Sequence, residues 1–394
     1  MTDSLHDKTA IVGIGQTEFS KDSGRTTLQL AAEASLAAIT DAGLVPSDID
    51  GMVTFAADQN DELALMRNLG VPQLRFTART RGGGGGSAAT LQLAAAAVAS
   101  GAATNVLVYR AFNERSGGRF GQPMTGAGRP LANAGPGPQG MGPWGWYIPY
   151  GLDTPAKIYS LWTQRYMYKY GVENADFGRY TVSARKHAAT NPAAWFYNRP
   201  ITLEDHQSSR WIVEPILRLL DCCQESDGGV ALVVTTPERA RDLAQPGVRI
   251  AAADQAHLQD GDELFDFYLG DRSTFPEAGA LGRQMWQTAG LKPDDIDVAM
   301  IYENFSPLVF LQLEAFGFCG PGEAKDFIKN GNIEIGGELP VNTHGGLLGE
   351  GYIHGVNNIL EAVRQLRGTA VNQVDDVEHV LVAAGRSGAI LGRL

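Results

Sequence analysis

The sequence predicts an α/β protein built as a duplicated five-layer α-β-α-β-α sandwich, and three observations predict it. The segment AGLVPSDID at Ala42–Asp50 recurs as AGLKPDDID at Ala289–Asp297, with seven of nine positions matching at an offset of 247 residues. Solenoid repeats recur at about 20–50 residues, so this spacing indicates two related halves. Each copy follows a small-residue helical stretch and leads into an apolar strand, MVTF in the first and VAMIYENF in the second. Branched, strand-like runs also alternate with Ala/Leu-rich helical stretches along the chain, which implies parallel sheets with helices on their faces.

Taken in order, Ala10–Ile14 reads as a strand and Thr27–Ala42 as a helix, with Leu28, Leu30, Ala31, Leu36, Ile39 and Ala42 at helical spacing. After the first repeat copy and its strand comes RGGGGGSAATLQLAAAAVASG, a glycine turn opening a helix so rich in alanine that it must pack closely. Asn105–Arg110 returns as a strand. From Phe112 to Pro155 the pattern breaks into Gly/Pro/Trp-rich sequence, a length without periodicity that suits a lid or cover. Helical segments follow, and DCCQESDGGVALVVTT closes the first half with a strand. The second half repeats the theme: strand Val248–Ala252, helix Ala278–Ala289, strand Asp297–Tyr302, a turn cluster VNTHGGLLGEGYIHG, helix Val356–Leu366 and strand HVLVAA. The expected halves are 1–240, with an insertion at about 112–220, and 241–394.

With 32 basic against 44 acidic residues, the net charge of −12 argues against a nucleic-acid or anionic-membrane surface. No apolar run approaches the ~20 residues that span a bilayer. The start passes from polar residues directly into a strand, so no signal peptide is expected. Three cysteines without a CxxC give neither a disulfide framework nor a metal site, and a reducing cytoplasm is expected. Cys222 and Cys223, ahead of a Gly-Gly turn, read as buried apolar residues.

Among the motifs, the glycine run Gly82–Gly86 fails as a phosphate loop, since Ser87-Ala88 follows where Lys and Ser/Thr are needed. Gly13-Ile14-Gly15 fails as a dinucleotide fingerprint, with Glu18 in place of the third glycine. The run is either a tight turn or a helix start whose free amides face a ligand oxygen. His344 and His354 flank a glycine-rich turn and are either structural or catalytic, without metal-ligand spacing. Tyr302 and Tyr352 read from spacing alone as packing residues.

Three stretches carry a resemblance to the thiolase superfamily, in particular to sterol-carrier-protein-type thiolases. Asp221–Thr236 resembles that group's strand entry. Asn342–Gly355 resembles its glycine loop, and Tyr302–Phe305 (YENF) its N-E-A-F element. The resemblance implies the thiolase fold over essentially the whole chain. The departures are specific. Thiolases use a nucleophilic cysteine where this chain has Gly82–Gly86, and a second where it has Ala383–Gly388; neither stretch holds a cysteine. Without a thiolate no covalent acyl-enzyme forms. The family's oxyanion-hole Asn and His map to Tyr302 and Tyr352.

Two tyrosines and no cysteine resemble the thiolase-like aldolases of steroid side-chain degradation. That resemblance implies retro-aldol cleavage of a β-hydroxyacyl-CoA, a 17-hydroxy steroid bearing a three-carbon CoA thioester chain, to a 17-keto steroid and propionyl-CoA. It further implies a homodimer and a small OB-fold, zinc-ribbon partner shared with the preceding hydratase. No cofactor is implied beyond the CoA of the substrate. Tyr352 is expected as base and Tyr302 as acid or enolate donor, in surroundings that shift a phenol toward neutrality. His344 and His354 are expected to tune the phenols, and Glu303 and Asn304 to orient them. Gly84, Gly85, Gly86, Ser87, Gly345, Gly346 and Gly388 are expected to line the CoA ester site, while Arg75, Arg79 and Arg81 either meet the CoA phosphates or sit at the dimer surface, the second reading being favoured. The competing readings are a non-catalytic acyl-CoA-binding scaffold, and an acyl transferase with chemistry displaced to Ser87 or Ser387.

Overall fold

Eleven strands organise the described residues: β1 (Ala10–Gln16), β2 (Gly51–Phe55), β3 (Phe76–Thr80), β4 (Val106–Asn113), β5 (Trp211–Val213), β6 (Leu217–Arg218), β7 (Asp227–Thr235), β8 (Val248–Gln255), β9 (Val298–Ile301), β10 (His379–Ala383) and β11 (Ser387–Arg393). The computed structural model describes residues 5–259 and 270–394 apart from 82, 120 and 123–146. Most of the Gly/Pro/Trp-rich segment expected as a lid lies outside the described residues, as does Gly82. Nine strands run in the order β3-β2-β4-β7-β1-β8-β11-β10-β9, and β5 and β6 form a separate pair.

The order β2-β4-β7-β1 in the first half is matched by β9-β10-β11-β8 in the second, with the same relative directions. The sequence repeat builds an identical device in each half. Asp48 caps a short turn by accepting from the Val45 N–H at 2.9 Å, and Asp295 does so from the Lys292 N–H at 2.9 Å. Asp50 accepts from the Thr104 and Asn105 amides at 2.7 and 2.9 Å, and Asp297 from the Glu378 and His379 amides, each at 2.8 Å. Each final aspartate thus fastens its strand to the start of the neighbouring parallel one.

The sheets are mixed, not parallel as expected. β2 pairs in parallel with β3 and β4, and β9 with β10; the other pairs are antiparallel. The reason is local. The short turn Ala384–Arg386 folds β11 back on β10, and the insertion returns the chain to the end where it left, setting Asp227 opposite Asn113.

The five layers follow from three apolar cores. The central one buries the helices Ser87–Ala99 and Val356–Arg367, through residues such as Leu91, Val98, Ile359 and Val363, against Val234 of one half and Val382 of the other. The first of these helices is buried almost all round, which its alanines permit. The outer helix Thr27–Asp41 covers the first half's sheet through Leu30 and Ile39. The helix Pro276–Ala289 covers the second through Leu281 and Met285. The inserted helices Pro155–Tyr170 and Asn174–Thr190 leave the first half in sequence but pack on the second, placing Tyr166, Phe177 and Tyr180 beside Ile301 and Phe310. No helix among the described residues is long and apolar enough to cross a membrane.

Candidate active site

Residue Tyr302 follows the last residue of β9, where the chain turns out of the sheet. Its backbone is held from two sides: its N–H donates to the Ala383 carbonyl at 2.8 Å, and its carbonyl accepts from Gln312 Nε2 at 2.8 Å. Gln312 Oε1 also accepts from the Gly385 N–H at 2.9 Å, so one amide side chain joins the ends of β9 and β10. Tyr352 comes from the glycine-rich turn; its N–H donates to Ser226 Oγ at 3.2 Å. The two phenol oxygens meet at 2.8 Å.

Both rings are almost fully buried, yet both line a cavity of about 740 Å³ between the halves, within the range of small-molecule sites. Burial pushes both phenols well above their ordinary value, with further upward contributions from Tyr352 at Tyr302 and from Cys223 and Glu114 at Tyr352. Burial therefore outweighs any lowering by nearby donors. A buried phenol favours its neutral form, and both hydroxyls keep their protons.

The glycine run packs against this pair. A β-carbon built on Gly84 would fall 1.9 Å from Tyr302 Cε2 and 2.2 Å from its hydroxyl oxygen. No side chain fits there while the phenol is in place. Gly85 is tied across the halves by Ser387 Oγ, which donates to its carbonyl at 2.7 Å.

Of the residues expected from sequence, Tyr302, Tyr352, His354, Asn304, Gly84, Gly85 and Gly86 converge on the cavity. The others stand behind it. Glu303 points opposite to Tyr302, as successive side chains of an extended chain do, and its Oε1 accepts from the Leu347 N–H at 2.7 Å. Burial raises its carboxyl to about 8. His344 bonds Asn358 Oδ1 at 3.2 Å in a buried polar cluster with Glu350, and burial lowers it to about 3, so it is a neutral structural group. Gly345, Gly346 and Gly388 are packing positions, where a β-carbon would meet Ala188 at 2.5 Å, Glu303 at 1.8 Å and Met285 at 2.6 Å. Ser87 is buried at its helix start away from the cavity wall.

Two further expectations change. Cys222 and Cys223 pack against apolar clusters but are only partly buried, each also lining the cavity, and desolvation raises both thiols, which keeps them from being thiolates. Arg79 clamps Glu62 at 2.7 Å and Arg75 reaches Asp50, but Arg81 lines the cavity. Sequence reading missed Arg110, Asp58 and Glu114. Arg110 and Asp58 form a buried ion pair at 2.7 Å, and Arg110 Nε donates to His354 Nδ1 at 3.2 Å. The signal was available, since Arg110 is the one charge in the run VLVYRAF. Lys21, lowered to about 8 chiefly by burial, also lines the cavity. Among the described residues no cluster of three His, Cys, Asp or Glu could hold a metal ion.

A family model for the thiolase C-terminal domain-like fold matches residues 270–391. The chain is 56% identical to the steroid side-chain-cleaving aldolase of Thermomonospora curvata over 97% of both sequences. It is 53% identical to the 17-hydroxy-3-oxo-4-pregnene-20-carboxyl-CoA lyase of Mycobacterium tuberculosis over 98% of this chain and 100% of that one. The solved Ltp2-ChsH2(DUF35) aldolase superposes with a TM-score of 0.92 at 54% identity, covering 99% of each chain. Human mitochondrial 3-ketoacyl-CoA thiolase, at 13% identity and a TM-score of 0.68, shares the fold alone. A duplicated sandwich with one phenol at the second half's strand end and another in its glycine-rich turn, and such identity along nearly its full length, means that the chain belongs to the steroid side-chain-cleaving aldolases of the thiolase superfamily.

Proposed function

We propose that this chain cleaves a β-hydroxyacyl-CoA by a retro-aldol reaction in which Tyr302 and Tyr352 act as one proton relay. The substrate is a 17-hydroxy steroid with a three-carbon side chain as its CoA thioester, and the products are a 17-keto steroid and propionyl-CoA. Names of close relatives support this substrate class. The observation that carries the mechanism is the 2.8 Å contact between two phenols that are both neutral.

The reaction moves one proton from the β-hydroxyl to the α-carbon while the bond between the two carbons breaks. Tyr352 accepts the hydroxyl proton as it passes its own to Tyr302, and Tyr302 delivers its proton to the α-carbon of the enolate. Both phenols begin and end neutral, so neither needs a depressed pKa. Tyr302 takes the enolate side because its ring lies on Gly84, next to the backbone amides of the glycine run. Hydrogen bonds focused on the enolate oxygen contribute about 3–4 kcal/mol per donor. Asn304 lines the cavity beside the phenols, and its buried side-chain oxygen has no hydrogen-bond partner among the described residues. The relay is self-contained and calls for no metal or cofactor beyond the CoA of the substrate.

The working assembly in this reading is a cytoplasmic homodimer with a small DUF35-type partner, an OB-fold with a zinc ribbon shared with the preceding hydratase. The solved relative named with ChsH2(DUF35) supports such a partner. The halves are taken as 1–240 and 241–394. The test is product analysis by mass spectrometry of the chain with its partner and the steroid β-hydroxyacyl-CoA. Ketone plus propionyl-CoA are expected from the wild type. Y302F and Y352F are each expected to lower the rate about 10²- to 10⁴-fold with the fold intact. A wild type that binds the ester and releases neither product would favour the scaffold reading.

A further inference from the structure

Beside Tyr352, His354 lines the cavity, and its surroundings determine where its proton sits. Arg110 Nε donates to His354 Nδ1 at 3.2 Å. An arginine cannot give up its proton in a protein, so the Nδ1 lone pair must face it and the ring proton of the neutral imidazole must be on Nε2. Arg110 is itself immobilised. Its Nη1 donates to Asp58 Oδ2 at 2.7 Å, and its guanidinium lies 4.3 Å over the Phe112 ring and 5.6 Å from that of Phe55. Asp58 is filled in turn by the Ala111 N–H at 3.2 Å and by the backbone and side-chain N–H groups of Asn60, each at 2.8 Å. Arg110 and Asp58 are 2% and 0% exposed at their side chains, so this chain is sealed from water.

The Nε2 edge of His354 lies toward the glycine run: a β-carbon on Gly83 would stand 3.7 Å from Nε2. The Tyr352 ring meets the imidazole edge-on at 5.3 Å. His354 also holds a left-handed backbone, at φ 50°, which a non-glycine residue keeps only where its surroundings over-determine it.

We propose that the buried Asp58–Arg110 pair of the first half locks His354 of the second as a neutral Nε2–H donor, and that this N–H holds the thioester oxygen of the substrate as it becomes an enolate. Arg110 is a positioning residue and His354 the group that touches the ester. This inference rests on the retro-aldol reading above. It differs from a satisfied core cluster, which would fix the same bonds but place no donor in the cavity. Among the described residues, the groups that face His354 include Arg110 from β4, Tyr352 from its own turn, and the rings of Phe55 and Phe112. Burial and the Arg110 charge together push the imidazole well below its ordinary value, in agreement with a ring that stays neutral.

Two measurements test this on the full chain with its partner. Long-range ¹H–¹⁵N spectra of histidine-labelled protein distinguish the tautomers, with the His354 signal identified by its loss in H354Q. The Nε2–H form is expected, unchanged from about pH 5.5 to 9; an Nδ1–H form, or a ring titrating near pH 6.5, would overturn the lock. In single-turnover cleavage, H354F is expected to lower the rate about 10²- to 10³-fold with substrate affinity nearly unchanged. H354Q, whose amide donates from the same place, should recover most of that loss. R110Q removes the donor to Nδ1 but not the burial, so its spectrum is expected to show the Nδ1–H form beside the Nε2–H form, and if that variant does not fold the wild-type spectrum still decides. Wild-type rate in H354F would overturn the donor role. No cleavage by the wild type would instead count against the retro-aldol reading, and the spectrum would decide Arg110's part on its own.

Discussion

At the scale of single residues, Gly84 explains the exchange of chemistry. The phenol of Tyr302 occupies the volume that any side chain at position 84 would need, so a nucleophile there and a phenol at 302 exclude one another. G84A is therefore expected to displace Tyr302 and reduce cleavage by at least about 10²-fold, the general acid–base contribution, while thermal unfolding stays cooperative. The missing cysteines and the two tyrosines were legible in the sequence, because they are identities at motif positions. The glycine's purpose was not, since it depends on a ring brought from the other half. The degree of burial that keeps both phenols protonated was equally invisible, and it decides the direction of their shift. Ser87 and Ser387, the candidates for displaced acyl transfer, have no activating base among the described residues: Ser87 does not line the cavity and Ser387 donates to a carbonyl. S87A and S387A should both retain cleavage, with S387A down about fivefold for the loss of one interhalf hydrogen bond of about 1 kcal/mol.

Among the elements, the repeated AGL-x-P-x-DID was visible as a pattern, and the helices and most strands it announced lie within a few residues of where the pattern put them. Its function was not visible, because the amides that Asp50 and Asp297 accept lie 54 and 81 residues away in the chain. Each aspartate joins two strands through charge-assisted bonds, so D297A is expected to cost about 2 kcal/mol, measurable by denaturant unfolding. Directions of strand pairing were misread because alternating strand and helix does not reveal the tight turn at Ala384–Arg386. The turn elements behind the site also predict a pH effect. Burial raises Glu303 to about 8 and Glu350 to about 7, above their unfolded value near 4.5. Such groups hold protons in the native state that the unfolded chain has lost, so their stabilising effect is complete below about pH 4.5 and disappears as pH rises through 7 to 8. Stability should therefore fall between pH 6.5 and 8, a window above the one in which His344, lowered to about 3, acts in the opposite sense. E303Q should flatten the upper part of that slope, as read by unfolding at fixed temperature.

Across the whole molecule, duplication has produced two halves with divided duties. The second contributes both phenols and His354, and the first contributes the glycine run that makes room for one phenol and the Arg110–Asp58 pair that fixes the imidazole. The inserted helices, which belong to the first half in sequence, cross over and pack on the second, so the cavity is closed only when the halves are assembled. This division was half legible: the repeat announced two halves, and the contrast between Phe55 and Tyr302 at matching strand ends announced that they differ. The measurement that most directly tests the relay is a double-mutant cycle on single-turnover cleavage by Y302F, Y352F and the Y302F/Y352F pair. If the phenols act as one unit, each single variant loses about the same factor and the double variant loses no more than either. Losses that multiply in the double variant, or a wild-type rate in either single one, would contradict a shared relay.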